Sequence, residues 1–223
     1  MEDKPRIVIA GGSGFIGHAL SRFLSRRNFE VVVLTRGENE TRGDSRYVNW
    51  NGKTVGAWAR ELDGATAVIN LAGRSINCRF TERNRSEILD SRVDSTRTLA
   101  NAIAGITTPP PVLVQASGIG YYRSSGENVV DESTPGGGDF MAEVCQQWEG
   151  AIDAFAFPAT RKVILRIGIV LGPGGGALLV LERLTKAFLG GAAGSGRQFV
   201  SWIHMHDVIR MVLAMIERHD LAG

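Results

Sequence analysis

The residues with the clearest chemical meaning are three glycines near the start of the chain. A strand-like run, residues 6–10, leads into Gly11-Gly12-Ser13-Gly14-Phe15-Ile16-Gly17, and apolar residues at helical spacing follow. In such a turn Gly11 allows the sharp bend, Gly14 leaves room for a pyrophosphate, and Gly17 lets the helix pack closely on the sheet. An ordinary tight turn is the alternative, which the flanking strand and helix disfavour. The pattern predicts a dinucleotide site at Gly11, Ser13, Gly14, Phe15, Ile16 and Gly17.

A second chemical signal follows the next strand-like run, residues 31–34. Thr35 and Arg36 come directly after it, close to where a dinucleotide fold places the residue that reads the adenosine ribose. An acidic residue there accepts hydrogen bonds from the free 2′-hydroxyl of NAD(H), whereas an arginine fork suits the 2′-phosphate of NADP(H). Arg36 therefore favours NADP(H). NAD(H) is the alternative if Arg36 is only a solvated loop residue.

Alternating strand-like and helix-like segments must position these residues. Strands buried on both faces are predicted at 6–10, 31–34, 67–70, 112–117 and 163–170. Helices are predicted at 16–26, 82–104, 140–154 and 208–218. The alternation predicts an α/β fold, a Rossmann-type doubly wound parallel sheet with helices on both faces. We expect a dinucleotide-binding Rossmann domain over residues 1–170 and a partial substrate-binding region over 171–223 that closes on the same domain.

Composition narrows the class of protein. Of 223 residues, 25 are basic and 23 acidic, and because the basic residues are scattered we expect no nucleic-acid partner. No apolar run approaches the roughly 20 residues of a membrane span, so no membrane association is expected. The first residues lack a signal or transit pattern, which predicts a cytoplasmic location. Cys78 and Cys145 are too few for a disulfide framework or a four-cysteine site, and we expect no bound metal.

Further motifs follow the glycine turn in a fixed order along the chain. They are Asn-Leu-Ala-Gly at 70–73, Gln-Ala-Ser-Gly-Ile-Gly-Tyr-Tyr at 115–122, Asp-Glu-Ser-Thr-Pro at 131–135, Leu-Arg-Ile-Gly at 165–168 and Phe-Val-Ser-Trp-Ile-His-Met-His-Asp at 199–207. Together they resemble the extended short-chain dehydrogenases/reductases, in particular the nucleoside-diphosphate-sugar epimerase-like group. The resemblance implies an oxidoreductase or epimerase-like enzyme that acts on a carbonyl or sugar-nucleotide-like small molecule. It also implies that Leu71, Ala72 and Gly73 pass beside the cofactor.

The resemblance further implies where catalysis would take place. Ser117 lies at the position of the family's catalytic serine or threonine, whose hydroxyl holds a substrate oxygen against the nicotinamide. Family members usually also carry Tyr-x-x-x-Lys on the helix after the fifth strand, where the tyrosine exchanges a proton and the lysine lowers its pKa. If Glu149 is the acidic residue that follows this pair, its positions fall on Met141 and Cys145. The usual acid/base pair is therefore absent.

Three functions stay open. The first is an enzyme that uses Ser117 with a substitute acid, either Tyr121 or Tyr122. The second is a non-catalytic protein that binds the dinucleotide for redox sensing or regulation, with Ser117 merely part of a turn. The third is a protein that keeps the fold for interaction alone, because a Rossmann fold hosts many functions. The first is favoured.

The end of the chain bears on the substrate. Extended members of the resembled family normally continue well beyond the segment at 199–207, whereas this chain ends at Gly223. We therefore expect a small C-terminal substrate portion that is truncated or reduced. Apolar surface left uncovered in this way would favour a homodimer.

Overall fold

The computed structural model describes residues 4–122, 124–192 and 194–222, and its centre is a seven-stranded sheet. The strands are β1 (Arg6–Ala10), β2 (Glu30–Thr35), β3 (Glu40–Arg42), β4 (Ser45–Asn49), β5 (Ala67–Asn70), β6 (Val112–Gly118) and β7 (Arg161–Ile167). They lie in the order β3-β4-β2-β1-β5-β6-β7, and every neighbouring pair is parallel except β3 with β4. The predicted Rossmann-type sheet is confirmed.

Helices cover both faces of this sheet. They are α1 (Phe15–Ser25), α2 (Glu82–Ala104), α3 (Phe140–Asp153) and α5 (Met205–Glu217), whereas α4 (Gly176–Lys186) packs beside the chain after the seventh strand and has no buried residue. Successive side chains of β1 point to opposite faces, as strand geometry requires. Ile7 and Ile9 therefore join a core with α1 and α5, whereas Val8 and Ala10 join a second core with α2 and α3. Helices on two faces keep the central strands dry, which explains their continuous apolar runs.

The prediction of one strand over 163–170, buried on both faces, is wrong. β7 ends at Ile167, and a separate short strand, β8 (Ile169–Leu171), pairs in parallel with β9 (Trp202–His204). The break falls at Gly168, where a Cβ would lie 2.9 Å from the Ser201 carbonyl oxygen, so the crossing backbone needs a glycine. β7 is also an edge strand, and in it only Val163 and Leu165 are buried.

Several elements carried no clear sequence signal. The β3–β4 hairpin was not predicted, and its chain turns at Gly43, which has a φ of +58°. Helix α4 was not predicted, and the structure describes no buried residue in it. Large apolar side chains between α4 and β9 are strongly exposed, among them Phe188, Leu189 and Phe199. This part of the chain thus contributes little to either core.

Candidate functional site

The glycine turn joins β1 to α1 at the carboxyl edge of the sheet. Gly11 has a φ of +76°, and a Cβ there would lie 2.7 Å from the backbone carbonyl of Leu71. A Cβ on Gly17 would lie 2.5 Å from the Cα of Gly12. These two glycines are therefore required by the packing of the protein on itself, as close helix and strand contact demands.

Gly14 differs from its neighbours because no such packing explains it. It is exposed, and an added Cβ would meet only the Gly11 carbonyl oxygen, at 3.3 Å. Gly14 is also the N-cap of α1, so it offers no side chain to the free N–H groups of the first helical turn. An open, uncapped helix start without acidic residues is suited to a phosphate group.

The other residues predicted for the cofactor surround this turn. Ser13 is exposed, and Ile16 packs against the core that contains α1 and α5. Phe15 lies below the loop after β8, where a Cβ on Gly175 would come within 2.7 Å of its ring. Gly175 thus permits a close approach of this loop to the start of α1.

The residues expected to read the ribose follow β2. The Thr35 hydroxyl accepts a hydrogen bond from the Gly37 N–H at 3.3 Å, which shapes the turn. Arg36 is exposed, and within the described residues its guanidinium forms no hydrogen bond or ion pair. Its side chain is therefore available to an anionic ligand.

The loop at 71–73 is held next to the glycine turn by a buried polar group. Leu71 donates its N–H to the Ala10 carbonyl at 2.9 Å, and the Asn70 amide oxygen accepts the Ala72 N–H at 3.1 Å. The Asn70 amide nitrogen in turn donates to Gln115 at 2.9 Å. Because β5 contributes Asn70 and β6 contributes Gln115, this hydrogen-bonded pair fixes the loop relative to the residues that follow β6.

A buried ionic group lies at the carboxyl ends of β6 and β7. Ser117 and Arg166 are register partners on these strands, and α3 supplies Glu149. The Ser117 hydroxyl donates to Glu149 Oε1 at 2.5 Å, while Arg166 donates to both carboxylate oxygens at 2.9 and 2.8 Å. These hydrogen bonds to the Glu149 carboxylate raise the pKa of Arg166. Ser117 and Glu149 are each about 95% buried, so the pair and its hydroxyl are largely shielded from water.

Two tyrosines complete this group in different ways. The Arg166 guanidinium stacks on the ring of Tyr121, with Cζ 3.6 Å from the ring centroid. The same guanidinium donates a hydrogen bond to the hydroxyl oxygen of Tyr122 at 2.8 Å. Tyr121 therefore presents its face to the ionic group, and it is Tyr122 whose phenol oxygen joins it.

The two positions of the usual tyrosine and lysine are filled by packing. Helix α3 contains neither residue type, and a Cβ on Gly120 would lie 3.3 Å from Met141 Cβ. A Cβ on Gly118 would lie 3.6 Å from the sulfur of Cys145. Cys145 is buried, and burial raises the pKa of its thiol.

Sequence reasoning assigned no role to Glu149 or Arg166, although both belong to the site. The sequence did contain a signal for them. Arg166 lies inside an apolar run at 163–171, and an arginine in a buried strand needs an acidic partner. Arg166 also borders a cavity of about 200 Å³ whose walls are mainly apolar, with Ile119, Ile167 and Trp202 among them.

The sequence of this chain is similar to that of known proteins. Within the described residues, no helix is both long and apolar enough to cross a membrane. The Epimerase family protein SDR39U1 homolog, chloroplastic, from Arabidopsis thaliana is 36% identical over 227 residues, which cover 100% of this chain and 65% of the relative. The chain thus spans just under two thirds of that relative's length.

Solved structures share the fold. The human epimerase family protein SDR39U1 (isoform2) with NADPH has a TM-score of 0.87 and 34% identity, over 98% of this chain and 72% of that one. The nucleoside-diphosphate sugar epimerase from Corynebacterium glutamicum has a TM-score of 0.82 and 30% identity, over 99% and 45%. The NAD dependent epimerase/dehydratase family matches residues 7–223. The predicted resemblance is confirmed: this chain belongs to the NAD dependent epimerase/dehydratase family.

Proposed function

We propose that this protein is an NADP(H)-dependent oxidoreductase or epimerase-like enzyme that acts on a carbonyl or alcohol of a small, sugar-nucleotide-like molecule. The observation that carries the proposal is the buried group of Ser117, Glu149, Arg166 and Tyr122, which lies at the same sheet edge as the open glycine turn. Ligands of doubly wound sheets bind along this edge.

The residues of the glycine turn fit a dinucleotide. Gly14 leaves space for the pyrophosphate at the start of α1, Arg36 is free to pair with a 2′-phosphate, and the 71–73 loop would flank the cofactor. The similar human protein is described with NADPH, which agrees with the preference expected from Arg36, and NAD(H) is the weaker alternative. When bound, such a cofactor supplies hydride transfer.

Proton transfer falls to the chain itself. The Ser117 hydroxyl donates its hydrogen bond to Glu149. The lone pairs of the Ser117 oxygen are therefore free to accept a hydrogen bond from a substrate alcohol. Deprotonation of the alcohol through Ser117 would place the proton on Glu149, and the reverse path would protonate a carbonyl oxygen. Arg166 balances the charge of Glu149 while the carboxylate is ionised, and it stays hydrogen-bonded to Tyr122 when Glu149 holds the proton.

Tyr122 is a second proton donor of the same site. Because Arg166 donates to the Tyr122 oxygen, the phenol proton stays available for a substrate oxygen. Tyr121, with its ring under the guanidinium, would act mainly by positioning Arg166. Ser117 and Tyr121 were the catalytic candidates from the sequence, and Tyr122 is favoured over Tyr121 on these contacts.

A second candidate is a protein that binds the dinucleotide without turnover, as a redox sensor or regulator. The packing of Met141 and Cys145 against the backbone of 118–120 supports it, because that backbone occupies the space next to the usual acid/base pair. Interaction without any cofactor is the third candidate.

Nucleotide titration is the first test. Wild-type protein is titrated with NADPH and NADH by fluorescence, beside Gly14→Val. The added Cβ would meet only one protein atom, the Gly11 carbonyl oxygen at 3.3 Å, whereas the side chain would fill the space proposed for the pyrophosphate. We expect NADPH to bind more tightly than NADH, and Gly14→Val to weaken NADPH at least about 100-fold. Unaltered binding in Gly14→Val would place the nucleotide elsewhere.

Turnover separates the first two candidates. NADPH oxidation is followed over a panel of ketones, aldehydes and sugar nucleotides with wild type, Ser117→Ala, Tyr122→Phe and Tyr121→Phe. Activity lost in Ser117→Ala with NADPH affinity retained supports the enzyme. No turnover by wild type on any of these classes favours the sensor.

The remaining expectations stay predictions. We propose that residues 171–223 form the substrate side of the site, with the exposed apolar side chains near Phe188 and Leu189 available for a homodimer. A dilute monomer in size-exclusion chromatography would contradict the homodimer. The cytoplasmic location is likewise a prediction, which cell fractionation tests.

A further inference from the structure

Arg92 is a partly buried cation that the proposed reaction does not use. It lies in the middle of α2, with Cζ 5.1 Å from the ring centroid of Trp148 on α3. A Cβ on Gly73 would lie 3.2 Å from the same Cζ, so the guanidinium rests against the backbone of the 71–73 loop. Burial lowers the pKa of Arg92.

No carboxylate within the described chain compensates this charge. Nη1 of Arg92 donates to the carbonyls of Arg74 and Ile88 at 3.1 and 2.9 Å, while Nε and Nη2 have no acceptor there. Arg74, which lies beside it, pairs with Glu87, and Arg166 pairs with Glu149. Because Arg92 is only partly buried and its Nε and Nη2 are not fully enclosed, this edge of the guanidinium is open to a ligand.

Arg92 lies between the two parts of the site. Gly73 on one side belongs to the loop expected to flank the cofactor, and Trp148 on the other side follows Cys145 by three residues on α3. A Cβ on Gly118, the residue after Ser117, would lie 3.6 Å from the Cys145 sulfur. Cys145 occupies the position at which the family usually has its lysine. Arg92 on α2 therefore places a positive charge near the position that the lysine would otherwise occupy.

We propose that Arg92 binds a carboxylate of the substrate through its free Nε and Nη2 edge. Two N–H groups on one edge of a guanidinium match the two oxygens of a carboxylate. The substrate is then an oxo or hydroxy acid, whose carboxylate is held near Ser117. The inference rests on the proposed function, which it narrows to acidic carbonyl compounds.

The test compares an acid with a neutral ketone of similar size. Calorimetric titration of the protein with 2-oxobutyrate and with 2-pentanone is done with and without saturating NADP⁺. NADP⁺ cannot reduce these ketones, and neither compound carries an alcohol that it could oxidise. The variants are Arg92→Met and Arg92→Lys, and NADP⁺ affinity is measured in each. Arg85→Met is the matched control. Arg85 lies on α2, like Arg92, and stacks on the ring of Phe140 on α3, but its side chain is exposed.

We expect the wild type to bind the acid at least about tenfold more tightly than the ketone. Arg92→Met should lose this preference and Arg92→Lys should keep part of it, while Arg85→Met stays within about twofold of the wild type. NADP⁺ affinity should stay within about twofold in all variants.

Three results would overturn the proposal. The first is equal affinity of wild type and Arg92→Met for the acid, and the second is equal affinity of the wild type for acid and ketone. The third is a parallel loss of NADP⁺ affinity in Arg92→Met, because this would assign the guanidinium to an oxygen of the cofactor. Circular dichroism establishes that each variant is folded, and Arg92→Lys carries the comparison if Arg92→Met is not. Failure of the wild type to bind NADP⁺ would instead defeat the proposed function, while titration of the free protein still measures the acid preference.

Discussion

Two ionic groups stand at opposite edges of the same sheet and differ in what surrounds them. At the amino edge, Glu30 accepts hydrogen bonds from Arg6 and Arg46 at 3.0 and 3.1 Å, and Arg46 also donates to Glu61 at 2.6 Å. At the carboxyl edge, described above, one arginine and one glutamate are joined by a serine and a tyrosine. Only the carboxyl-edge group thus contains hydroxyls able to exchange protons with a ligand.

The difference shows that an ionic group becomes able to take part in a reaction through its position in the fold, rather than through ion pairing itself. Both groups tie neighbouring strands together, and each carries a nearly buried glutamate, Glu61 or Glu149. The amino-edge group closes on itself with charged residues alone. The carboxyl-edge group borders a cavity, and it lies at the same sheet edge as the open glycine turn, where parallel strands of this fold end.

The largest expected effect separates the two glutamates by activity. Glu149→Gln should reduce turnover at least about 100-fold because the amide cannot take the Ser117 proton, as loss of a general base does. Glu61→Gln should leave turnover within about twofold. Initial rates across pH, together with NADPH affinity, provide the measurement.

Two outcomes bear against this comparison. Equal losses in Glu149→Gln and Glu61→Gln would mean that both groups act only through stability. Full activity in Glu149→Gln would remove the glutamate from the proton path and leave Tyr122 as the remaining donor.

The two parts of the carboxyl-edge site, the cofactor turn and the acid/base group, differ in how far the sequence predicts them. The cofactor side follows from local patterns, because Gly11 to Gly17 and Arg36 act within one strand, turn and helix. The acid/base group joins Ser117, Glu149 and Arg166 from three elements, and contacts between distant segments are not written in local spacing. The break of the predicted strand at Gly168 has the same origin, since Ser201 causes it.

Stability should respond more strongly at the carboxyl edge. Glu149→Ala leaves Arg166, whose side chain is 19% exposed, without a carboxylate partner and should lower the free energy of unfolding by about 3 kcal/mol. Glu61→Ala should cost about 1 kcal/mol because Arg46 is 39% exposed and keeps Glu30. Urea denaturation followed by circular dichroism gives both values, and a larger loss in Glu61→Ala would reverse the ranking.

Strand β2 joins the two edges and allows a smaller test. Glu30 begins the strand, and Arg36 follows its end. Arg36→Ala should weaken NADPH about tenfold and leave NADH within about twofold, because only NADPH has the 2′-phosphate. Arg46→Met at the amino edge should change neither affinity. Fluorescence titration measures all of these, and an equal loss of NADPH and NADH in Arg36→Ala would contradict the assignment of Arg36 to the phosphate.

The smallest expected effect is the acid sensitivity of the amino edge. The hydrogen bond from Arg46 lowers the pKa of Glu61, even though burial opposes this shift. A carboxyl whose pKa is lower in the folded state stabilises the protein above its unfolded pKa, and this contribution disappears as the pH falls through the folded pKa. Arg46→Met should therefore reduce the stability lost between pH 7 and about pH 3 by about 1 kcal/mol. Urea denaturation at a series of pH values measures the slope, and an unchanged slope in Arg46→Met would show that the acid sensitivity arises from other carboxyl groups.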